Sequence, residues 1–242
     1  MKFNVFETEE QVIDAFTAHI VSLAVAAIKA RGQFNLSLSG GSSPKKVYEL
    51  LASSVYRDQV DWNKVFFFFG DERYVPSDSP DSNALMVKEA LFKPLGIEAQ
   101  NIFAVDTSLP ADEAADQYAK LIQDHFGHSE VRFDCVMLGL GGDAHTASLF
   151  PYTDVLRASK ASVKAVQLPG QSSFRISMTA PLLNQARNIA FLTFGGGKSQ
   201  AIFQVVKGDR DPEKYPAQLI DPEAGTVEWY TDQAAMRLLE EV

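Results

Sequence analysis

The chain has one cysteine in 242 residues, four histidines and no run of lysine or arginine, and its net charge at neutral pH is −9. Cys135 lies inside the apolar run FDCVMLGL, which excludes a disulfide pair and a thiolate metal cluster and leads us to expect a reducing compartment. Without a basic block the surface cannot track a phosphodiester backbone, so nucleic acid is not an expected partner. An anionic partner must be small and gathered by a few local cations against the field of the whole protein. The opening MKFNVFETEE lacks a basic region followed by an apolar segment. IVSLAVAAIKA is too short to span a bilayer and continues an amphipathic pattern. The expectation is a cytoplasmic protein without a membrane partner.

Several catalytic signatures are also missing. No GK[ST] closes a glycine-rich loop, and GxGxxG is absent from SGGSS, which disfavours nucleotide binding. No GxSxG elbow supplies an esterase serine. His145 has no second histidine at helical spacing, and His125 and His128 end a polar helix without a carboxylate pattern, so no metal site is expected.

What is present is an ordinary globular composition, 46% hydrophobic and 22% charged, with proline and glycine scattered as single punctuation marks. A chain this long buries roughly 70–75% of its unfolded surface. With no repeat or linker, residues 1–242 are expected to form one domain. Val12, Phe16, Ile20, Leu23 and Ala27 mark an amphipathic helix stopped at Gly32. Strands are expected at 34–39, 65–70, 101–105, 133–140, 162–168, 174–179, 188–195 and 226–231. Helices are expected at about 44–54, 82–92, 111–126, 146–150, 197–207 and 232–241. Several strands are continuously apolar, as in a parallel sheet covered on both faces. The alternation predicts a three-layer α/β/α domain with ligands beyond the carboxyl ends of its strands.

Four turns of this kind carry candidate chemistry. In SLSGGSSPKKVYELL, Ser39, Gly40, Gly41, Ser42 and Ser43 run into a helix with Pro44 in its first turn. Glycines admit an anion to the backbone and the helix start offers free N–H groups, although a Ser-capped tight turn fits this motif equally well. In FFFFGDERYVPSDSPDSN, a buried strand delivers Asp71 as an acid/base or orienting group and Arg73 as a bidentate anion contact. A solvated charged turn is the simpler account of DER, and capping that of Ser82 and Asn83. GLGGDAHTASLFP places His145 on a glycine turn, two residues after Asp143, where a neutral imidazole suits a general base. Leu149, Phe150 and Pro151 read as core and helix-stop residues. Finally, Arg175 sits inside the strand FRISMT, and Lys198 follows three glycines at a helix start where its charge opposes the helix dipole. A small anion accounts for both cations. Solvent accounts for each taken singly.

In order and spacing, LSGGSSP, GDERYVPSDSPDSN, GLGGDAHTASLFP, RISMTAPLLNQARNIAFLTFGGGKSQAI and YPAQLI resemble the 6-phosphogluconolactonase family over nearly the whole chain. That family is related in fold to glucosamine-6-phosphate deaminase and ribose-5-phosphate isomerase, a modified Rossmann-like arrangement. The resemblance implies hydrolysis of 6-phospho-D-glucono-1,5-lactone to 6-phospho-D-gluconate, the second step of the oxidative pentose phosphate pathway, with neither metal nor organic cofactor. It implies that Ser39 to Ser43, Arg73, Arg175 and Lys198 hold phosphate and hydroxyls, with Gly141 and Asp143 at the same site. His145 would deprotonate water, and Asp71 would orient His145 or a substrate hydroxyl. The Gly141–Ala144 turn or a neighbouring cation would meet the oxyanion. A monomer or weak oligomer is expected. The family usually carries Gly where Ala144 stands, which matters if that backbone needs a positive φ. The alternatives are an amino-sugar-phosphate deaminase or isomerase on the same fold, or a non-catalytic sugar-phosphate sensor. Deaminases resemble the chain at the phosphate loop but carry LDEY for GDER and HIAFNEP for HTASLFP.

Overall fold

In the computed structural model, residues 1–127, 129–168, 170 and 173–240 are described, and His128 lies outside them. Six parallel strands form the central sheet: β1 (Lys2–Phe6), β2 (Phe34–Leu38), β3 (Val65–Phe69), β5 (Cys135–Leu138), β8 (Asn188–Leu192) and β9 (Thr226–Asp232), in the order β1-β9-β8-β5-β2-β3. Alternate residues on each inner strand feed two cores. Leu36, Leu38, Phe67, Phe69, Met137 and Leu192 face α1 (Glu9–Arg31) and α2 (Ser42–Leu51). Phe68, Val136, Leu138, Phe191 and Trp229 face α5 (Ala111–Phe126), α7 (Ser199–Val206) and α8 (Gln233–Glu240). The period of two therefore survives inside uniformly apolar runs, because both faces of the sheet are covered by helices. Cys135 is fully buried in β5, as a small core side chain.

The expected parallel sheet needs three corrections. Segments 162–168 and 174–179 do not join it. They form β6 (Val163–Gln167) and β7 (Phe174–Met178), which pair antiparallel with each other, and β7 pairs antiparallel with β4 (Asp71–Arg73) on its other side, giving a separate three-stranded ribbon in the order β4-β7-β6. Segment 101–105 makes a single bridge from Ile102 to Phe67 after a 3-10 turn rather than a strand. Segment 146–150 is not a helix, since Thr146 and Leu149 close a short antiparallel bridge. At the amino terminus, β1 was not anticipated, because an edge strand with a mostly solvated pattern lacks the apolar run that marks the others.

Helix α1 runs for 23 residues, longer than the IVSLAVAAIKA stretch, and an 18-residue window of it has a mean hydropathy of 1.7, long and apolar enough by length and composition alone to cross a membrane, a test that the core helix of a soluble protein also passes. Its buried stripe of Val12, Phe16, Ile20, Ala24 and Ala27 packs on the sheet. Gln11 and Thr8 form a capping box at its start and Gly32 closes its end at φ 81°.

Gly70 is the point where the chain leaves one sheet for the other. Its N–H donates to Leu38 O of β2 and its carbonyl accepts from Met178 N of β7. The strand that buries Phe67, Phe68 and Phe69 thus passes Asp71 and Arg73 straight into the ribbon. Glu72, only 2% exposed, accepts from the N–H groups of Arg73, Asn83 and Ala84 and anchors the start of α3 (Asn83–Val87). Helix α3 continues through a π turn into α4 (Lys93–Leu95). The DER motif is therefore a short strand with a buried acid, not a solvated turn.

Ala144 does adopt the left-handed conformation, at φ 63°, and is fully buried. A non-glycine residue there costs about 1–2 kcal/mol. Its buried methyl returns about 0.8 kcal/mol, and alanine restricts the unfolded chain by a further 0.4–1 kcal/mol or so. These terms offset one another. Ala144→Gly is expected to shift the melting temperature by less than about 4 °C in either direction, as differential scanning calorimetry would show.

Candidate active site

The carboxyl ends of β2, β3 and β5, the glycine loop after β8 and the ribbon converge on a cleft of ≈ 270 Å³. Of the residues singled out from sequence, Ser39, Gly40, Asp71, Arg73, Gly141, His145, Arg175 and Lys198 line it. Gly41, Ser42, Ser43 and Asp143 do not. Gly41, at φ 109°, is the residue before α2, and Ser42 and Ser43 are that helix's first turn, which carries no side-chain cap. Ser42 and Ser43 thus belong to the helix start and not to the cleft wall. The loop is anchored at its first residue, where the Tyr48 hydroxyl accepts from Ser39 N and donates to Ser39 O.

His145 is held by its own turn. Its Nδ1 lies 2.5 Å from Asp143 Oδ1, and its backbone N–H donates to the same oxygen at 3.1 Å. A carboxylate at Nδ1 requires the proton there, which assigns Nε2 as the free base. The ring also stacks on Phe150, centroids 4.2 Å apart, so Phe150 is a cleft wall and not a helix stop. On its other side the imidazole covers Gly141, where a Cβ would come within 2.1 Å of Nδ1. Thr146 Oγ1 donates to Gly139 O and Gly141 N to His145 O, closing the turn.

Burial opposes ionisation of Asp143, but the His145 ring, its positive charge and the backbone N–H groups outweigh it and hold the carboxyl below its ordinary value. The sign follows. A depressed acid stabilises the fold above the ordinary carboxylate range of about pH 4, and that contribution disappears as pH falls through the depressed value. Melting curves of the wild type and Asp143→Asn are expected to differ at neutral pH and to converge as the pH falls through the depressed value, below the ordinary carboxylate range.

The carboxylate on His145 is thus Asp143. Asp71 is engaged elsewhere, with its Oδ2 accepting from Ser148 Oγ at 2.6 Å while Ser148 N donates to Ser177 Oγ of β7. Asp71 lines the cleft, and its side-chain bond is to Ser148 rather than to His145. Ser148, Asn83 and Phe150 were not identified as site residues. The signal for Ser148 was its position three residues after the histidine. Asn83 is indistinguishable in sequence from an ordinary helix cap.

Arg73 and Arg175 stand directly opposite each other across the β4–β7 pair, and both line the cleft. Like charges opposed across a ladder are destabilising. Burial, followed by the charge of Arg73, lowers the Arg175 guanidinium's proton affinity, against the pull of Asp71, Asp81 and Glu72. Lys198 lies apart from this pair, its Nζ donating to Leu140 O at 2.7 Å beside the histidine turn. Two N–H groups once considered for an oxyanion, those of Gly141 and Ala144, are used within the turn, donating to His145 O and Gly141 O.

Comparison with known proteins places the chain in a family. The family model described as glucosamine-6-phosphate isomerases/6-phosphogluconolactonase matches residues 7–229. The chain belongs to this family. A 6-phosphogluconolactonase of Synechocystis is 36% identical over 237 residues, covering 96% of this chain and 95% of the relative. The structure of 6-phosphogluconolactonase from Trypanosoma cruzi superposes with a TM-score of 0.85 at 26% identity, covering 98% of this chain and 96% of that one. A monomeric glucosamine-6-phosphate deaminase shares the fold, with a TM-score of 0.81 at 18% identity, covering 98% of this chain and all of its own. In this chain the turn that bears His145 follows β5 of the parallel sheet, and the arginine pair lies in the ribbon.

Proposed function

We propose that the chain, acting as one domain over residues 1–242, hydrolyses 6-phosphogluconolactone to 6-phosphogluconate. The observation that carries this reading is the sharing of one cleft by an Asp143-oriented His145 and an opposed arginine pair. A phosphate dianion between Arg73 and Arg175 would neutralise a repulsion present in the free protein. With the phosphate there, the lactone carbonyl reaches toward His145. Nε2 takes a proton from water as its oxygen bonds to C1, giving a tetrahedral oxyanion. Lys198 Nζ, which keeps protons beyond the one given to Leu140 O, is the cation available beside that turn, and the N–H groups at the start of α2 add to the field. Collapse breaks the bond from C1 to the ring oxygen, and the imidazolium returns its proton to that oxygen. The acid product then ionises in water.

Every step uses the chain's own groups and water, so the reading is of a cofactor-independent enzyme. An acidic, single-cysteine chain fits a cytoplasmic setting and a monomer or weak oligomer. Phe150 packs on His145 where the deaminase motif HIAFNEP has its glutamate, leaving the histidine with one carboxylate partner. The decisive assay follows acid release from freshly made 6-phosphogluconolactone. Turnover well above the spontaneous rate is expected, while ammonia release from glucosamine 6-phosphate would overturn the reading in favour of a deaminase.

A further inference from the structure

Gly40 is a glycine in this cleft for a reason that neither its backbone angle nor the ligand supplies. It lies outside the positive-φ set, so alanine can adopt its conformation. Yet a Cβ at Gly40 would fall 2.0 Å from Asn83 Oδ1, 2.3 Å from Cγ and 2.6 Å from Nδ2. The Asn83 carboxamide occupies the volume a side chain at position 40 would need.

Asn83 has little freedom to move away. Its backbone N–H donates to Glu72 Oε1 at 2.7 Å, and its Nδ2 donates to Asp71 O at 3.0 Å. That second bond fixes the amide's orientation, since a flip would set oxygen against the Asp71 carbonyl oxygen. Oδ1 is therefore turned to Gly40, and this buried atom finds no hydrogen-bond partner among the described residues. Asn83 is 1% exposed and lines the cleft. A buried unpaired acceptor is costly, and a residue that keeps one at a cleft wall is doing something other than stabilising the fold.

We propose that Asn83 is a positioning residue: its locked carboxamide is the spacer that sets the Ser39–Ser43 loop at a fixed height over the strand bearing Asp71 and Arg73. The loop's N–H groups and the arginine pair must grip one ligand together, and Asn83 is the side chain in contact with both segments. A ligand held between them senses a change in this spacing as weaker binding, with the base at His145 undisturbed. This inference rests on the lactonase reading for its choice of ligand.

The test is a double-mutant cycle read as the dissociation constant of 6-phosphogluconate and as separate KM and kcat values, with melting temperature recorded for each variant. In the wild-type background Gly40→Ala is expected to weaken binding by about 30-fold or more and to leave kcat within about 3-fold. Asn83→Ala is expected to weaken it by about 5–10-fold. Adding Gly40→Ala to Asn83→Ala should then cost less than about 3-fold, because the new methyl enters the vacated space. An equal cost in both backgrounds, or a harmless Gly40→Ala, overturns the proposal. If Gly40→Ala does not fold, comparison of Asn83→Ala with the double variant still decides, since a loss above about 10-fold on that leg means Gly40 serves the ligand directly. Wild-type turnover of the lactone separates the two ideas. If the wild type shows none, the functional reading fails, and the interlock is then judged on inorganic phosphate binding across the same four proteins.

Discussion

Alanine at position 145 is expected to lower kcat on 6-phosphogluconolactone by about 10²–10⁴-fold, the usual contribution of a positioned general base, while 6-phosphogluconate binding stays within a few-fold of wild type. The split follows from the site's layout. His145 stacks on Phe150 and bonds to Asp143, both on its own segment, whereas the arginine pair is carried by β4 and β7. Losing the imidazole leaves the ribbon intact. Asp143→Asn should move kcat in the same direction, because an amide no longer dictates which ring nitrogen carries the proton. Stopped-flow acid release and isothermal titration on the same preparations measure both quantities. Equal weakening of binding and turnover in His145→Ala would assign the histidine to substrate grip, and undiminished kcat would remove it from the chemistry.

Arg175→Gln should give the opposite signature, with KM raised by about 10–150-fold and kcat nearly constant, the range set by loss of charge-assisted hydrogen bonds to a phosphate. Its effect on the free protein is informative too. Arg175 Nη1 donates to Phe174 O, and its charge faces that of Arg73. Removing one of two opposed cations relieves repulsion, so the melting temperature of the ligand-free variant should hold or rise. Stabilisation of the protein by inorganic phosphate should shrink in the same variant. A fall in melting temperature with unchanged KM would make Arg175 a structural residue.

Much of this was legible in the sequence because burial leaves a strong mark. Four consecutive phenylalanines announce β3, and the glycine turns after β2, β5 and β8 announce where ligands collect. Other features left no such mark. A strand of three residues such as β4 has too few positions to show a period, and its buried Glu72 looks like a surface charge until its three N–H donors are seen. The ribbon reads as part of the parallel sheet because order along the chain does not say which sheet a strand joins, although exposed Lys164 and Gln167 and half-buried Arg175 already break the continuous apolar run of the central strands. Which carboxylate meets His145 depends on side-chain direction, which residue spacing does not supply; the family resemblance offers Asp71, and the structure puts Asp143 on Nδ1. Asn83 was hidden by its position, since an asparagine following a serine at a helix start already has a sufficient explanation.

The crossing at Gly70 divides labour within the molecule. Under the proposed function, the base stands on the turn after β5 of the parallel sheet and the anion grip is shared by the ribbon's arginine pair and the loop after β2, while the two sheets meet at Gly70, through the bonds of Ser148 to Asp71 and Ser177, and in one apolar core that holds Val136, Leu138, Ile176 and Met178. Such a partition is tied together at its seam. On the proposed reading, substitutions at Arg73 or Arg175, which face the cleft, retune which phosphorylated sugar is admitted, whereas changes at Asp71, Ser177, Ile176 or Met178 reach the histidine turn through Ser148 and the core shared with Ala144 and Leu149.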